Sequence, residues 1–310
     1  MLPSKRGALP TLVVGNVELG GTGKTPHVID IARRLQSMIG DGAVGILSRG
    51  YGRSSSGFLW VDQAHGWRDV GDEPWMIQQQ LPSASVAVCE NRLAGLTRMH
   101  QERPELRIAL LDDGMQHRAL RADRVIALKS RPIPAFGMRW TKVVPAGPFR
   151  DLPTQFFRSD LKVSTNGMDA TCDAQTSAQV GSPRPFSGDA NSSALNDPAL
   201  LITGIAHPSR VVDAVGKLGL DVAGFGHYSD HHDFSEADIQ HWLTWMKANH
   251  VNHILTTEKD ATRIAPLLDS LDDACLWILP LSLEWSHEAK LASFLNDWIH
   301  SLPSQTQPIP

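Results

Sequence analysis

The sequence has few cysteines, no long apolar run and little net charge. Its three cysteines, Cys89, Cys172 and Cys275, are too few and too scattered for a disulfide framework or a zinc site. It contains no uninterrupted run of about 18 apolar residues, so it predicts no membrane-spanning helix. The opening MLPSKRGALP lacks the apolar core of a secretory signal, and the net charge of −4 does not suggest a nucleic-acid-binding protein. These absences predict a reduced, soluble, cytoplasmic protein.

Composition and charge distribution indicate a globular chain with two unlike halves. Apolar residues make up 42% of the chain and charged residues 20%, which is typical of folded proteins and excludes wholesale disorder. Residues 1–150 carry 20 basic and 13 acidic side chains, whereas residues 151–310 carry 9 and 20. This asymmetry favours two units, the first with a surface that attracts anions.

The hydrophobic pattern predicts an α/β fold. Short apolar runs alternate with helical patterns in the first half, as in a parallel sheet covered by helices. From Ser164 to Asn196 small polar residues and turn formers dominate, which is typical of a flexible linker or a weakly structured insertion. The alternation then resumes. We predict a P-loop NTPase-type parallel sheet flanked by helices in residues 1–160, a flexible or β-type linker in 161–198, and a second, smaller α/β domain in 199–310.

A glycine-rich segment carries the strongest functional signal. It follows the apolar run LVVGN and leads into a helical pattern, which is the context of a phosphate-binding loop. Its backbone amides can surround phosphate oxygens, Lys24 can reach the β- and γ-phosphates, and the Thr25 hydroxyl can bind Mg²⁺. A strict loop pattern has glycine where this chain has Glu18. The candidate nucleotide-binding residues here are Gly20, Gly21, Thr22, Gly23, Lys24 and Thr25.

Acidic residues supply candidates for metal binding and proton transfer. Asp112 and Asp113 follow the apolar run IALL, where a carboxylate can hold Mg²⁺ directly or through water. Asp72 in the GDEP segment is either a helix N-cap or a base that accepts a proton from an attacking hydroxyl. The segment 227–233 is rich in histidine but lacks the spacing of a zinc motif, so metal binding and assistance in proton transfer stay open.

Two glycine-flanked arginine segments are candidates for phosphate capture. They are SRGYGR at residues 48–53 and PAGPFR at residues 145–150. Guanidinium groups on such loops can bind phosphate through two parallel hydrogen bonds. Each segment alone is also compatible with an ordinary loop.

Together these segments resemble one family, the tetraacyldisaccharide 4′-kinases of lipid A biosynthesis. The matching pieces keep the family's order from Val13 to Ala261: VGNVELGGTGKTPH, SRGYGR, GDEP, VAVCENRLAG, LLDDGMQH, VVPAGPFRD, GIAHPSR, SDHHDF and TTEKDA. The resemblance implies Mg²⁺- and ATP-dependent phosphorylation of the 4′-hydroxyl of a tetraacylated glucosamine disaccharide 1-phosphate. It also implies a P-loop kinase domain joined through a β-linker to a smaller C-terminal domain.

The resemblance implies roles for individual residues. Asp72 takes the position of the base, His231 that of its supporting histidine, and Asp112 and Asp113 those beside the metal. Lys24 completes the catalytic set. The positions that line the lipid-headgroup cleft fall on Ser48, Arg49, Tyr51, Arg92, Gln116 and His117. Glu258 and Lys259 fall on the C-terminal side of the nucleotide cleft.

The resemblance further implies a lipid A disaccharide precursor as partner and work at a membrane surface. Family members carry an N-terminal amphipathic helix that docks on the membrane, whereas ten residues precede the first predicted strand here. We therefore expect a monomer that binds the inner face of the inner membrane peripherally, with weakened docking, and no nucleic-acid partner. Two other functions stay open: a P-loop kinase of a soluble anionic sugar or metabolite, and a nucleotide-dependent P-loop ATPase switch.

Overall fold

The computed structural model describes residues 4–62, 64–133, 143–144, 149–167, 169–186, 195–271 and 274–302. The chain divides into two units, the first comprising residues 1–178 and 283–310 and the second residues 179–282. The strands are β1 (Thr11–Asn16), β2 (Val44–Ser48), β3 (Leu59–Trp60), β4 (Ser85–Val88), β5 (Ile108–Asp112), β6 (Arg124–Lys129), β7 (Leu161–Ser164), β8 (Ala174–Val180), β9 (Arg184–Pro185), β10 (Ala199–Thr203), β11 (Val222–His227), β12 (His253–Thr257), β13 (Cys275–Leu279) and β14 (Leu281–Trp285). The helices are α1 (Lys24–Ile39), α2 (Trp67–Val70), α3 (Asp72–Gln80), α4 (Arg92–Glu102), α5 (Pro153–Phe157), α6 (Pro208–Lys217), α7 (Glu236–Asn249), α8 (Glu258–Ile264) and α9 (Glu288–His300), with a 3₁₀ helix at Ala265–Leu271.

The first unit is built on a sheet with the strand order β14-β8-β7-β6-β1-β5-β2-β4-β3. The strands from β8 to β4 in that order pair in parallel, and β3 pairs with β4 in the antiparallel sense. Parallel strands end at the same edge of a sheet, so the segments that follow β1, β5, β2 and β4 meet there. Ligands of open α/β sheets bind at this edge.

Alternating side chains of the central strands pack on both faces of this sheet. On β1, Leu12 and Val14 belong to the core beneath α1, α3 and α9, whereas Val13 belongs to a second core beneath α4. All residues of β1, β2 and β5 are buried, as expected for strands covered on both faces. The predicted parallel sheet flanked by helices is confirmed.

The second unit contains a sheet with the strand order β11-β10-β12-β13-β9. Its first four strands are parallel and β9 is antiparallel to β13. Leu200 and Ile202 face a core completed by α7, while Leu201 faces a core completed by α6. This unit is the second α/β unit that the sequence predicts.

Two segments differ from the expected division at residues 161 and 199. Within the segment predicted as a flexible or β-type linker, residues 174–180 form β8, which joins the sheet of the first unit and buries Ala174 and Thr176. Helix α9, assigned from the sequence to the smaller domain, belongs to the first unit, where Leu291, Leu295 and Trp298 complete its core. Strand β14 joins the sheet of the first unit next to β8, and α9 follows it in the chain.

Across the ranges that the structure describes, none of the helices combines the length and apolar character that crossing a bilayer requires.

Candidate active site

The glycine-rich segment connects β1 to α1, as the sequence predicts. Gly20 and Gly23 have φ angles of 101° and 77°, in the left-handed region that favours glycine. The side chain of Asn16, at the end of β1, donates from Nδ2 to Thr22 Oγ1 at 2.8 Å. Helix α1 begins at Lys24, so its unpaired first amides and its positive dipole face the loop. The backbone here has the form that surrounds phosphate oxygens.

Lys24 and the two aspartates after β5 lie together. Lys24 Nζ is 3.8 Å from Asp113 Oδ2, and the guanidinium of Arg150 also binds both oxygens of Asp113. Asp112 is 1% exposed and accepts a hydrogen bond from Ser48 Oγ at 3.3 Å. Burial, with the nearby charges of Glu73 and Asp113, raises the pKa of Asp112 to about 7.

Asp112 retains an oxygen that could take a ligand. Its Oδ1 is buried, and within the described part of the chain it has no hydrogen-bond partner. Buried polar atoms are seldom left unpaired, so this one marks a place for a cation or water. In the described ranges there is no group of three or more His, Cys, Asp or Glu residues arranged to hold a metal. A single buried carboxylate matches Mg²⁺ better, since this ion takes most of its oxygens from phosphates and water.

The GDEP segment approaches the same edge of the sheet. Asp72 is the first residue of α3, is 5% exposed and accepts from the Glu73 amide at 2.9 Å through Oδ1. The preceding Gly71 has a φ angle of 98°, and a Cβ there would lie 3.2 Å from Gly50 Cα. The GDEP and SRGYGR segments therefore pack backbone to backbone, and this close contact requires glycine. Asp72 therefore lies beside the loop that carries Arg49.

Three basic side chains form a cluster near Asp112. Arg92, at the start of α4, is 3% exposed, donates to the Cys89 carbonyl and has a buried Nε without a hydrogen-bond partner among the described residues. Burial lowers the pKa of Arg92, and the positive charge of Arg49 lowers it further. The negative charges of Asp112 and Asp113 offset part of this shift. Burial also lowers the pKa of His117, as do Arg92 and Arg49. A buried guanidinium with the exposed Arg49 and the half-buried His117 beside it fits an anionic ligand.

The remaining headgroup candidates occupy the same unit. Ser48 ends β2 and binds Asp112. Tyr51 is 75% exposed. Gln116 donates from Nε2 to the Asn16 carbonyl at 2.8 Å, so it also stabilises the end of β1. The first unit thus brings together the nucleotide-loop candidates, the two aspartates, Asp72 and the basic cluster.

His231, Glu258 and Lys259 belong to the second unit and are described within it. His231 has a φ angle of 58°, and its Nε2 lies 2.9 Å from Lys259 Nζ. Lys259 is also 3.5 Å from Asp230 Oδ1. The Glu258 carboxylate accepts from the Leu281 amide at 3.2 Å and pairs with Arg184 at 3.4 Å. The histidine-rich segment therefore combines a histidine, a lysine and an aspartate.

The sequence did not single out Asn16, and it did not indicate the contacts that Glu18 and Arg150 make. Asn16 is fully buried and links Thr22, Gln116 and Arg150. The buried carboxylate of Glu18, at the position where the strict loop pattern has glycine, accepts from the amide and hydroxyl of Ser130 at 3.0 and 2.7 Å. Arg150 stood in the predicted PAGPFR segment, and residues 145–148 of that segment lie outside the described residues. The position of Asn16, a polar residue at the end of an apolar strand, could have marked it as part of the site.

Comparisons with known proteins agree on one family. A sequence model described as LpxK, tetraacyldisaccharide-1-P 4′-kinase, matches residues 1–300. A tetraacyldisaccharide 4′-kinase of Cytophaga hutchinsonii is 34% identical over 87% of this chain and 80% of its own length. The corresponding protein of Nitrobacter hamburgensis is 35% identical over 96% and 89%. A crystal structure of LpxK from Aquifex aeolicus, described as an "apo" form in complex with ATP, has the same fold, with a TM-score of 0.74 and 24% identity over 96% of this chain and 90% of that one. The chain belongs to the tetraacyldisaccharide-1-P 4′-kinase family.

Proposed function

We propose that this protein transfers the γ-phosphate of ATP to the 4′-hydroxyl of a tetraacyldisaccharide 1-phosphate in lipid A biosynthesis. The observation that carries the proposal is the pairing of two anion-binding regions at one sheet edge. One is the loop from Gly20 to Thr25, and the other is the basic cluster around the buried Arg92. Asp112 interacts electrostatically with Lys24 and with Arg92, so the two regions adjoin. A kinase with a phosphorylated acceptor needs both.

The donor side consists of the loop and its lysine. The amides that open α1 and the Lys24 ammonium bind the phosphates of ATP and neutralise their charge. Phosphoryl transfer asks the protein mainly for positioning and charge neutralisation, which a rigid loop at a helix N-terminus supplies. The Asp113 carboxylate, shared by Lys24 and Arg150, holds both cations at the phosphates.

The residues present fit a magnesium ion. Thr25 and Asp112 supply hard oxygen ligands, and the unpaired Oδ1 of Asp112 is the coordinating atom that we assign. When bound, Mg²⁺ neutralises negative charge on the phosphates that approach Lys24. Burial raises the pKa of Asp112, and a cation nearby would lower it again, so that the carboxylate would be ionised when the metal is bound.

On the acceptor side, Asp72 takes the proton of the attacking hydroxyl. Its carboxylate is nearly buried at the start of α3, beside the loop that carries Arg49. The basic cluster of Arg49, Arg92 and His117 binds the acceptor's phosphate and orients the sugar. Ser48, Tyr51 and Gln116 complete the contacts with the headgroup.

We also assign roles to residues of the second unit. His231 supports proton transfer, and Glu258 and Lys259 contribute to nucleotide binding, as the family resemblance implies. The short distance between His231 Nε2 and Lys259 Nζ supports an unprotonated Nε2 that accepts from the ammonium group.

An acylated acceptor requires access to a membrane surface. We infer that the protein acts as a monomer, peripherally, at the cytoplasmic face of the inner membrane. Leu19 and Val144, each 47% exposed, supply apolar side chains near the phosphate-binding loop, since Glu18 and Val143 both bridge to Phe149. Co-sedimentation with lipid vesicles and analytical ultracentrifugation check the two parts of this inference.

The proposal is tested by phosphate transfer from γ-labelled ATP to three acceptor conditions. These are the tetraacyldisaccharide 1-phosphate in mixed micelles, the same disaccharide without acyl chains, and no acceptor. We expect Mg²⁺-dependent labelling of the acylated acceptor and its loss in Lys24→Ala. Equal or preferential labelling of the deacylated sugar would replace the lipid substrate with a soluble one. Acceptor-independent hydrolysis as the sole activity would identify a nucleotide switch and refute the proposal.

A further inference from the structure

The imidazole of His27 forms a bridge between the phosphate-binding loop and a strand at the far side of the sheet. His27 lies in the first turn of α1 and is 1% exposed. Its Nδ1 is 2.6 Å from the Gly23 carbonyl oxygen, and its Nε2 is 2.9 Å from the Thr176 hydroxyl on β8. Its ring packs against Trp285 of β14 in a T-shaped arrangement, with 5.6 Å between centroids. Packing and two hydrogen bonds therefore fix the position of the ring.

The acceptors determine which atoms carry the protons. A carbonyl oxygen only accepts, so Nδ1 is protonated and donates to Gly23. In the neutral ring Nε2 is then an acceptor, and the Thr176 hydroxyl donates to it. Thr176 is 2% exposed, so its hydroxyl has little competition from water. The hydrogen bonds run in one direction, from Thr176 through His27 to Gly23.

The Gly23 carbonyl belongs to the same planar peptide as the Lys24 amide. In a trans peptide the C=O and N–H bonds point in opposite directions, so fixing one fixes the other. The Gly23 carbonyl receives the ring Nδ1–H and also the His27 backbone amide at 3.3 Å. Gly23 itself has a φ angle of 77°, at the end of the glycine-rich run. Without the imidazole, a single long backbone hydrogen bond would hold this peptide.

We propose that His27 is a positioning residue that orients the Lys24 amide toward the β-phosphate of the bound nucleotide. This role rests on the proposed kinase function, because it concerns the loop that binds the phosphates of ATP. Pro26 has no amide hydrogen, so Lys24 and Thr25 supply the free amides in the first turn of α1. The orientation of the first of them therefore contributes directly to phosphate binding.

Two substitutions of similar size separate this role from simple packing. The side-chain amide of His27→Asn takes the place of Nδ1 and can still donate to the Gly23 carbonyl. The longer side chain of His27→Gln takes the place of Nε2 and can reach Thr176 but not Gly23. Thr176→Val removes the outer hydrogen bond and leaves the inner one. A purely structural role of His27 predicts equal effects of the Asn and Gln variants.

The readout is the affinity of the full chain for ADP and for AMP, measured by calorimetry, with melting temperatures as a check on folding. ADP carries the β-phosphate and AMP lacks it, so the ratio of their dissociation constants reports the loop's contact with that phosphate. We expect His27→Gln to weaken ADP binding about tenfold, as for loss of one charge-assisted hydrogen bond, and AMP binding less than about twofold. We expect His27→Asn to keep the wild-type ratio, and Thr176→Val to reduce it by about threefold or less.

The outcomes separate the positioning role from the kinase function. An unchanged ADP-to-AMP ratio in His27→Gln, or equal losses in the Asn and Gln variants, overturns the role of His27 and leaves the kinase function standing. Failure of the wild-type protein to bind ADP overturns both.

Discussion

At the scale of single residues, the candidate site contains buried polar groups that lack a protein partner in the described part of the chain and can bind a ligand. Asp112 has an unpaired buried oxygen, and Arg92 is a buried cation with an unpaired Nε among the described residues. Leaving such groups without partners costs free energy that a bound phosphate or cation recovers. Asp112 was predicted from its position after an apolar run and Arg92 through the family resemblance, but their burial and missing partners depend on the packing of separate loops.

Asp72→Asn tests the proposed base. Asparagine keeps the size of the side chain but cannot accept a proton, so we expect kcat to fall by about two to four orders of magnitude. ADP affinity should stay unchanged, because Asp72 is assigned to the acceptor side. Steady-state kinetics with the acylated acceptor measure the effect, and Asp41→Asn, at an exposed turn, is the control. Near-normal turnover in Asp72→Asn would remove the base assignment.

Arg92→Lys tests the basic cluster. Lysine keeps the charge but lacks the planar fork of donors, so we expect the KM for the acceptor to rise about tenfold while ADP affinity is unchanged. Arg98→Lys is a matched control on the same helix, because Arg98 is half-exposed and pairs with Glu102. If both variants leave acceptor KM unchanged, the cluster does not bind the acceptor's phosphate.

Because His27 is buried, we expect the stability of the protein to depend on pH. Burial lowers its pKa from 6.5 to about 4, and the Gly23 hydrogen bond and the charge of Asp30 offset part of this shift. Since the unfolded chain binds the proton more readily, the stability due to the neutral ring is complete above pH 6.5 and is lost as pH falls toward 4. Between pH 7 and pH 5 the loss amounts to about 2 kcal/mol.

Urea unfolding at both pH values measures this loss. His27→Asn has no titrating group at the position, so its stability should change less over the same interval. Equal changes in the wild-type protein and the variant would show that the ring is not held neutral in the folded state.

At the scale of elements, strands were easier to predict from sequence than their membership of a unit. The parallel core of β1, β2, β4, β5 and β6 follows apolar runs that periodicity detects. β14 was overlooked although Leu281, Leu283 and Trp285 alternate with polar residues, because the run is short and follows Pro280. Without β14 nothing in the amphipathic pattern of α9 indicates which sheet it covers. Such long-range pairing depends on cores that single-sequence patterns do not encode.

Leu295→Ala tests the assignment of α9 to the first unit. Leu295 is 1% exposed in the core with Leu12 and Val28, so truncation leaves a cavity and should cost about 2–5 kcal/mol. Ser293→Ala, on the exposed face of the helix, should have little effect. Denaturant unfolding monitored by loss of ADP binding gives the comparison. A wild-type midpoint for Leu295→Ala would contradict the role of α9 in this core.

At the scale of the whole molecule, the candidate site residues are divided between two α/β units. The first unit holds the phosphate-binding loop, the aspartates and the basic cluster, within the half of the chain that carries 20 basic and 13 acidic side chains. The second holds His231 and Lys259 over a core stabilised by a fully buried Asp260–Arg263 pair. Arg263 also donates to the carbonyls of Gly204 and His232, on segments adjoining the positive-φ backbone of His231. Each unit thus holds its own candidate residues on a packed framework.

The most direct test of the central claim is the structure of the product. After incubation with ATP and Mg²⁺, the acylated acceptor is isolated and examined by proton–phosphorus correlation NMR. The account predicts a second phosphate, coupled to the proton on carbon 4′, with the 1-phosphate unchanged and no product from Lys24→Ala. A phosphate on another hydroxyl, or an unmodified acceptor after ATP hydrolysis, would contradict it.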